Sequence, residues 1–152
     1  MKKLKSLLFV ALITVLLSSC DDNKNDKKEY IQPDYLVGTW IIKQTGRLNS
    51  QAGIDYTEFD NGACQDDSYV FKTDLTFVKH NYTGSDCTDE AKSGTYNREN
   101  HLLALTRVVS SAPTPTSETV FCNISKLTKN ELEFNYNDSD GKLTFLVLSK
   151  EE

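Results

Sequence analysis

The chain has 152 residues, which is long enough for one folded domain with a single hydrophobic core. Hydrophobic residues make up 38% of it and charged residues 26%, and 17 basic against 22 acidic side chains give a formal net charge of −5. An acidic chain lacks the positive surface by which proteins bind nucleic acid or anionic membrane surfaces, so both classes of partner are excluded.

The first predicted element is a secretory signal peptide at residues 1–19. Residues 2–5 include three lysines, and residues 7–17 are apolar except for one threonine. This apolar stretch is shorter than the roughly 20 residues that a membrane-spanning helix needs, and its length and basic flank are typical of a signal peptide. Two small residues and Cys20 follow, at the position where a signal peptidase would cleave.

Cys20 is predicted to carry lipid. The sequence Leu17–Cys20 (LSSC) resembles the bacterial lipobox, which implies that the Cys20 thiol receives a diacylglycerol and becomes the first residue of the mature chain. Fatty-acyl chains such as palmitate would then hold the protein at the membrane, since each buried methylene contributes about 0.8 kcal/mol. The alternative is an ordinary secreted protein in which Cys20 is incidental. Without the three leader lysines, 14 basic residues remain against 22 acidic ones, and the mature net charge is −8.

Residues 20–34 are predicted to form a flexible tether, because the segment is charged and has too few apolar residues to bury a core. Asp21 and Asp22 resemble the acidic stretch that directs Bacteroidetes-type lipoproteins to the outer face of the outer membrane. An outer-membrane, surface-exposed location is therefore one expectation. A solvated spacer without any address function fits the two aspartates equally well.

Residues 35–152 are predicted to be all-β, with roughly seven to nine short strands separated by turn residues. Residues 68–82 predict a hairpin with its turn at 72–74, and residues 131–150 predict a second hairpin, in which NDSDG supplies the turn. Residues 46–62 are irregular and leave room for a short turn of helix. Strands at this spacing indicate a sandwich or a barrel.

The order of several short motifs is similar to that of the small lipocalin-like lipoproteins of Bacteroidetes. The opening Gly38-Thr39-Trp40 resembles the lipocalin G-x-W motif. The further motifs are a cysteine before a D-rich strand, an F-x-x-D-x-T-F hairpin, a second cysteine, a G-T-Y strand and a closing L-x-F hairpin, at Cys64, Phe71–Phe77, Cys87, Gly94–Tyr96 and Leu132–Phe134. The resemblance implies a single antiparallel up-and-down β-barrel of about eight strands over residues 35–152. It also implies that Gly38 lets the chain pass closely and that Trp40 plugs the closed end of the barrel.

Cys64 and Cys87 are predicted to form a disulfide. Both lie in polar, loop-like sequence at the outer ends of the first hairpin, which are adjacent in space, and an exported chain reaches a compartment that permits disulfides. Cys122 is in phase with apolar neighbours and is predicted to be a buried free thiol. The alternative is a metal site in which His80 or His101 joins the cysteines, but no C-x-x-C or H-x-x-x-H spacing supports it.

The sequence predicts neither an enzyme nor a bound cofactor or metal. It contains no G-x-S-x-G motif, no phosphate-binding glycine loop and no pair of carboxylates that can be placed on one face. Acidic clusters at Asp66–Asp67 and Asp138–Asp140 invite a calcium interpretation. The second cluster lacks the glutamate and the spacing of an EF-hand loop, so turn formation explains it better.

The interior of the predicted barrel leaves two functions open. A barrel of about eight strands is wide enough either to be filled by its own side chains or to hold one small ligand. The residues predicted to point inward are Trp40, Ile42, Tyr69, Phe71, Phe77, Leu103, Leu105, Phe134, Tyr136, Phe145 and Val147. In one interpretation they line an apolar pocket for a small ligand, with the SSAPTPTS loop or the 46–62 loop over its mouth. In the other they are a packed core, and the protein is a structural or interaction module that contacts a partner in an envelope complex.

Overall fold

The computed structural model describes residues 35–110 and 116–152. The predicted signal peptide at 1–19, the tether at 20–34 with Cys20, and the middle of the SSAPTPTS loop lie outside the described residues. All secondary-structure elements in the described part are β-strands, apart from one isolated 3-10 residue, Tyr35, which confirms the all-β prediction. In the same residues no helix is long and apolar enough to cross a bilayer.

The described residues form eleven strands, and two of them are only two residues long. In chain order the strands are β1 (Gly38–Leu48), β2 (Ile54–Glu58), β3 (Ser68–Phe71), β4 (Thr76–His80), β5 (Tyr82–Thr83), β6 (Thr88–Asp89), β7 (Lys92–Glu99), β8 (Leu102–Ser110), β9 (Thr116–Leu127), β10 (Glu131–Asn137) and β11 (Leu143–Lys150).

Eight of these strands close into an antiparallel barrel. The hydrogen-bonded order is β11-β10-β9-β8-β7-β4-β3-β1, and β11 pairs with β1 to complete the circle. Strand β2 pairs with β1 outside this circle, while β5 and β6 form a separate small hairpin. Barrel strands that follow one another along the chain are neighbours in the sheet, so the topology is up-and-down. The predicted architecture is therefore confirmed.

Strand β1 pairs with two different neighbours along one edge. Its first part, Gly38–Ile41, pairs with β3, and its last part, Gln44–Leu48, pairs with β2. The register with β11 shifts between these two parts, at Ile42/Gln44. Such a bulge bends a strand and increases its twist, which allows β2 to continue the sheet away from the barrel wall.

The expectation of a short helical turn in residues 46–62 is wrong. This segment holds the end of β1 and all of β2, joined by a turn in which the backbone N–H of Asn49 donates to the carbonyl of Gly53 at 2.9 Å. The alternation of Ile54-Asp55-Tyr56-Thr57 is a strand pattern, but it spans too few residues to stand out beside the polar turn.

Both predicted hairpins are present. The β3–β4 turn is closed by a hydrogen bond from the Leu75 N–H to the Lys72 carbonyl at 3.2 Å. In the β10–β11 turn the Asp138 carboxylate accepts hydrogen bonds from the backbone N–H groups of Asp140 and Lys142, at 3.0 and 2.9 Å. These bonds use the side chain to stabilise the turn, as the sequence indicated.

The hydrophobic core occupies the interior of the barrel. Strand β11 turns towards it the face opposite to the one that was predicted. The buried residues are Leu36, Trp40, Ile42, Tyr69, Phe71, Phe77, Tyr96, Leu103, Leu105, Cys122, Ile124, Leu132, Phe134, Leu146 and Leu148. In β11 the buried positions are Thr144, Leu146 and Leu148, so the inward placement of Phe145 and Val147 was wrong.

The register of β11 explains this error. Leu146 pairs with Phe134, whose ring is buried, and Phe145 pairs with Asn135 and Gly46 on the opposite face. Side chains that are paired across antiparallel strands point to the same side of the sheet. Both faces of β11 carry large apolar residues, so its sequence pattern alone does not distinguish them.

Candidate functional site

The end of the barrel at which β1 begins, called here the closed end, is filled by side chains. Trp40 is 0% exposed, and its indole Nε1–H donates to the Leu36 carbonyl at 2.7 Å. The Lys150 ammonium nitrogen lies 5.1 Å from the centre of the indole rings, a favourable cation–π distance. A β-carbon at Gly38 would come within 2.5 Å of the Lys150 side chain, so the missing side chain of Gly38 makes room for that lysine. Trp40 thus occupies the place that the G-x-W resemblance implied.

Aromatic rings that contact one another form a layer inside the barrel. Phe71 and Phe134 are each 1% exposed, and Tyr69 contacts both, with ring centres 6.0 Å from Phe71 and 5.7 Å from Phe134. Phe77 and Tyr136 extend the layer, at 6.4 Å from Phe71 and 6.2 Å from Phe134 respectively. Offset and edge-to-face ring contacts at such distances are favourable, so these contacts stabilise the arrangement of the rings in the interior.

A cavity of about 490 Å³ lies beyond the aromatic layer, at the opposite or open end. This volume falls within the range of roughly 300–1,000 Å³ that is typical of small-molecule sites. Its wall combines apolar, aromatic and charged side chains from β3, β4 and β7–β10 and from the β10–β11 turn. The lining residues are Tyr69, Phe77, Lys79, Lys92, Leu105, Arg107, Glu118, Thr119, Val120, Phe121, Cys122, Tyr136, Asn137, Asp138 and Ser139.

The predicted lumen residues divide into three groups. Tyr69, Phe77, Leu105 and Tyr136 line the cavity. Trp40, Phe71 and Phe134 are buried below it and are core rather than wall, and Phe145 lies on the outer face. The interior of the barrel therefore contains both a packed core and a cavity.

The ionisable groups in the apolar part of the wall stay uncharged at neutral pH. Burial raises the pKa of the Cys122 thiol to about 12, although Lys79 opposes this shift. Burial also raises the pKa of Tyr69 well above its usual range, and Tyr136 and Cys122 raise it further. The pKa of Tyr136 is raised mainly by burial. A protonated thiol is a poor nucleophile, so Cys122 contributes packing rather than reactivity.

Sequence reasoning missed the charged side chains of the wall. Lys79, Lys92 and Arg107 face the cavity, as do Glu118 and Asp138. A signal for Lys79 was available, because it has the same strand phase as Phe77, two residues before it. Lysine and arginine on a strand usually lie in solvent, and the inward residues were selected by apolar character.

The predicted disulfide between Cys64 and Cys87 is present. It joins the segment before β3 to the turn of the β5–β6 hairpin, with the two Cα atoms 5.3 Å apart. Cys122 is a buried free cysteine, as predicted. In the described part of the chain, no group of three or more His, Cys, Asp and Glu side chains could hold a metal ion.

Comparison with known proteins identifies the family of this barrel. The family model for the lipocalin-like domain matches residues 36–134, about two thirds of the chain. The chain belongs to the lipocalin-like family. No curated protein matches this lipocalin-like chain significantly.

Two solved structures resemble the lipocalin-like protein in fold. A lipocalin-like protein from Bacteroides uniformis is 13% identical, with a TM-score of 0.50 over 77% of this chain and 99% of that chain. An uncharacterized protein from Bacteroides eggerthii is 15% identical, with a TM-score of 0.47 over 76% of this chain and 98% of that chain. At such low identity the first of these likenesses supports the fold alone.

Proposed function

We propose that this lipocalin-like protein binds a small, largely apolar molecule in the cavity at the open end of its barrel. The observation that carries the proposal is the combination of a volume of about 490 Å³ with an aromatic floor formed by Tyr69, Phe77 and Tyr136. Concave sites with apolar and aromatic walls and a few polar groups are the usual form of small-molecule sites. A barrel of eight strands is also wide enough to hold one small ligand.

Retention of a ligand by the unlipidated mature chain tests this proposal. Residues 20–152 carrying Cys20→Ser would be incubated with a lipid extract, desalted and weighed by native mass spectrometry. We expect the mass of this protein to increase by that of one small bound molecule. Val120→Trp is expected to abolish this increase, because Val120 lines the cavity and a larger side chain there fills it.

The matched control is Leu102→Trp, which places the same ring on the outer face, where Leu102 is 46% exposed. This control is expected to keep the bound species. The proposal would be contradicted if the Cys20→Ser protein retained no small molecule, or if Val120→Trp retained as much of it.

A filled barrel that acts only as an interaction module is less well supported. Packing is complete at the closed end, where Trp40, Leu132 and Leu148 are all 0% exposed. The open half contradicts the filled interior on which that alternative depends, because it contains a cavity large enough for a ligand.

We further propose that lipid on Cys20 anchors the protein to the outer membrane, with the barrel on a tether formed by residues 20–34. The support is the basic start, the apolar stretch and the LSSC sequence, in that order. Growth of the host cell with an alkyne analogue of palmitate is expected to label the wild-type protein and not Cys20→Ser. Labelling of both proteins, or of neither, would contradict the anchor. Protease treatment of whole cells distinguishes a surface location from a periplasmic one.

A further inference from the structure

The charges on the cavity wall do not balance. Both carboxylates of the wall are already paired with arginines: the Glu118 carboxylate accepts hydrogen bonds from Arg107 at 2.7 and 3.1 Å, and Arg47 donates to Asp138 at 2.7 Å. Lys79 makes no ion pair or hydrogen bond with any described residue, and neither does Lys92. Two ammonium groups therefore face the cavity without an ion-pair partner among the described residues, although Asp67 lies near enough to Lys79 to act on its charge.

These two lysines are also direct neighbours across the sheet. Lys79 of β4 and Lys92 of β7 are partners in the antiparallel register, and both side chains line the cavity. Like charges directly opposite each other on adjacent strands are destabilising. A negative group placed between them would relieve this repulsion, in a protein whose overall net charge is −5.

Lys79 is placed to act on a ligand rather than on solvent. Its ammonium nitrogen lies 5.4 Å from the centre of the Tyr69 ring, which forms part of the aromatic floor. Burial lowers the pKa of Lys79, Lys92 and Arg107 lower it further, and Asp67 opposes the shift. A partly desolvated ammonium gains more from an anion than one in water does, because the local dielectric constant is lower.

Two hydroxyl groups can add hydrogen bonds. Tyr69 and Tyr136 both line the cavity, and neither phenol hydroxyl bonds to another described residue. Since both phenols remain protonated at neutral pH, each can donate to an oxygen atom of a ligand.

We propose, building on the ligand-binding function above, that the ligand is an amphipathic anion. Its apolar body packs on Phe77, Leu105 and Tyr136, and its single acidic group, a carboxylate or a sulfonate, lies between Lys79 and Lys92. The cavity thus favours a ligand that has a negative group at one end and an apolar body at the other.

Two fluorescent probes that differ only in an acidic group test this proposal. One is 8-anilinonaphthalene-1-sulfonate, and the other is N-phenyl-1-naphthylamine, which has the same rings without the sulfonate. Titration of the unlipidated mature chain is expected to give tighter binding of the sulfonate. Lys79→Met should weaken the binding of the sulfonate probe by about tenfold, because it removes a charged partner of the sulfonate group. The same substitution is expected to change the affinity for the neutral probe less than about twofold.

The controls separate this proposal from the proposed function. Lys129→Met removes a charge from the exposed β9–β10 turn and should alter neither affinity. Lys92→Met repeats the test at the second lysine and should weaken only the sulfonate. Equal binding of both probes, or equal weakening of both by Lys79→Met, would overturn the anionic ligand while leaving an apolar site. Absence of binding by either probe, or binding that Val120→Trp does not reduce, would contradict the ligand site itself.

Discussion

Replacing Trp40 with alanine is expected to lower the free energy of unfolding by about 3–5 kcal/mol, the range for removing a large aromatic side chain from a core. Trp40 is 0% exposed at the closed end of the barrel, so its loss leaves a cavity that the surrounding strands cannot collapse to fill. The substitution also leaves the Leu36 carbonyl without the indole N–H that bonds it at 2.7 Å. An unsatisfied buried acceptor adds to the cost of the cavity.

Urea denaturation followed by far-ultraviolet circular dichroism measures this loss, because Trp40 is the only tryptophan and its fluorescence disappears with it. Trp40→Phe keeps most of the apolar volume and loses the N–H donor, so an intermediate loss of about 1–3 kcal/mol is expected. The matched control is Leu102→Ala on the outer face, where Leu102 is 46% exposed and truncation has a small effect. A change below about 1 kcal/mol in Trp40→Ala would contradict the role of this residue in the closed end.

Removing the disulfide by Cys64→Ser together with Cys87→Ser is expected to lower the free energy of unfolding by roughly 3 kcal/mol. The bond joins residues 23 positions apart, and cross-linking a loop of that length restricts the unfolded chain more than the folded one. The effect arises in the unfolded state, so the barrel itself should keep its circular dichroism spectrum.

Chemical reduction supplies the control for this prediction. Dithiothreitol is expected to destabilise the wild-type protein by a similar amount and to leave the double variant unchanged, because the third cysteine of the described barrel, Cys122, is already a free thiol. Equal stability of the oxidised wild type and the double variant would contradict the prediction.

The sequence was most informative where one face of a strand is clearly apolar. In β10 the alternation of Leu132, Phe134 and Tyr136 with polar residues predicted the inward face, and Leu132 and Phe134 are buried. In β11 it failed, because Phe145 and Leu146 offer two equally apolar faces and only the pairing with neighbouring strands decides between them.

The cavity was harder to predict than the barrel, since its wall comes from positions far apart in the chain. Lys79, Arg107 and Asp138 lie on three different parts of the chain and meet only when the barrel closes. Periodicity indicates which side chains point inward, but it carries no information about how far along the barrel axis the packing continues. The division between the filled and hollow halves therefore required the structure.

Single strands contribute both to the packed core and to the cavity wall. On β8, Leu103 is buried with the core while Arg107 faces the cavity, and on β9 the same holds for Ile124 and Glu118. Four positions on β8 and six on β9, which are two and three repeats of the inward face, separate a core residue from a residue of the cavity wall. Substitutions in the cavity wall are therefore expected to change which molecules fit the cavity while leaving the packed core intact.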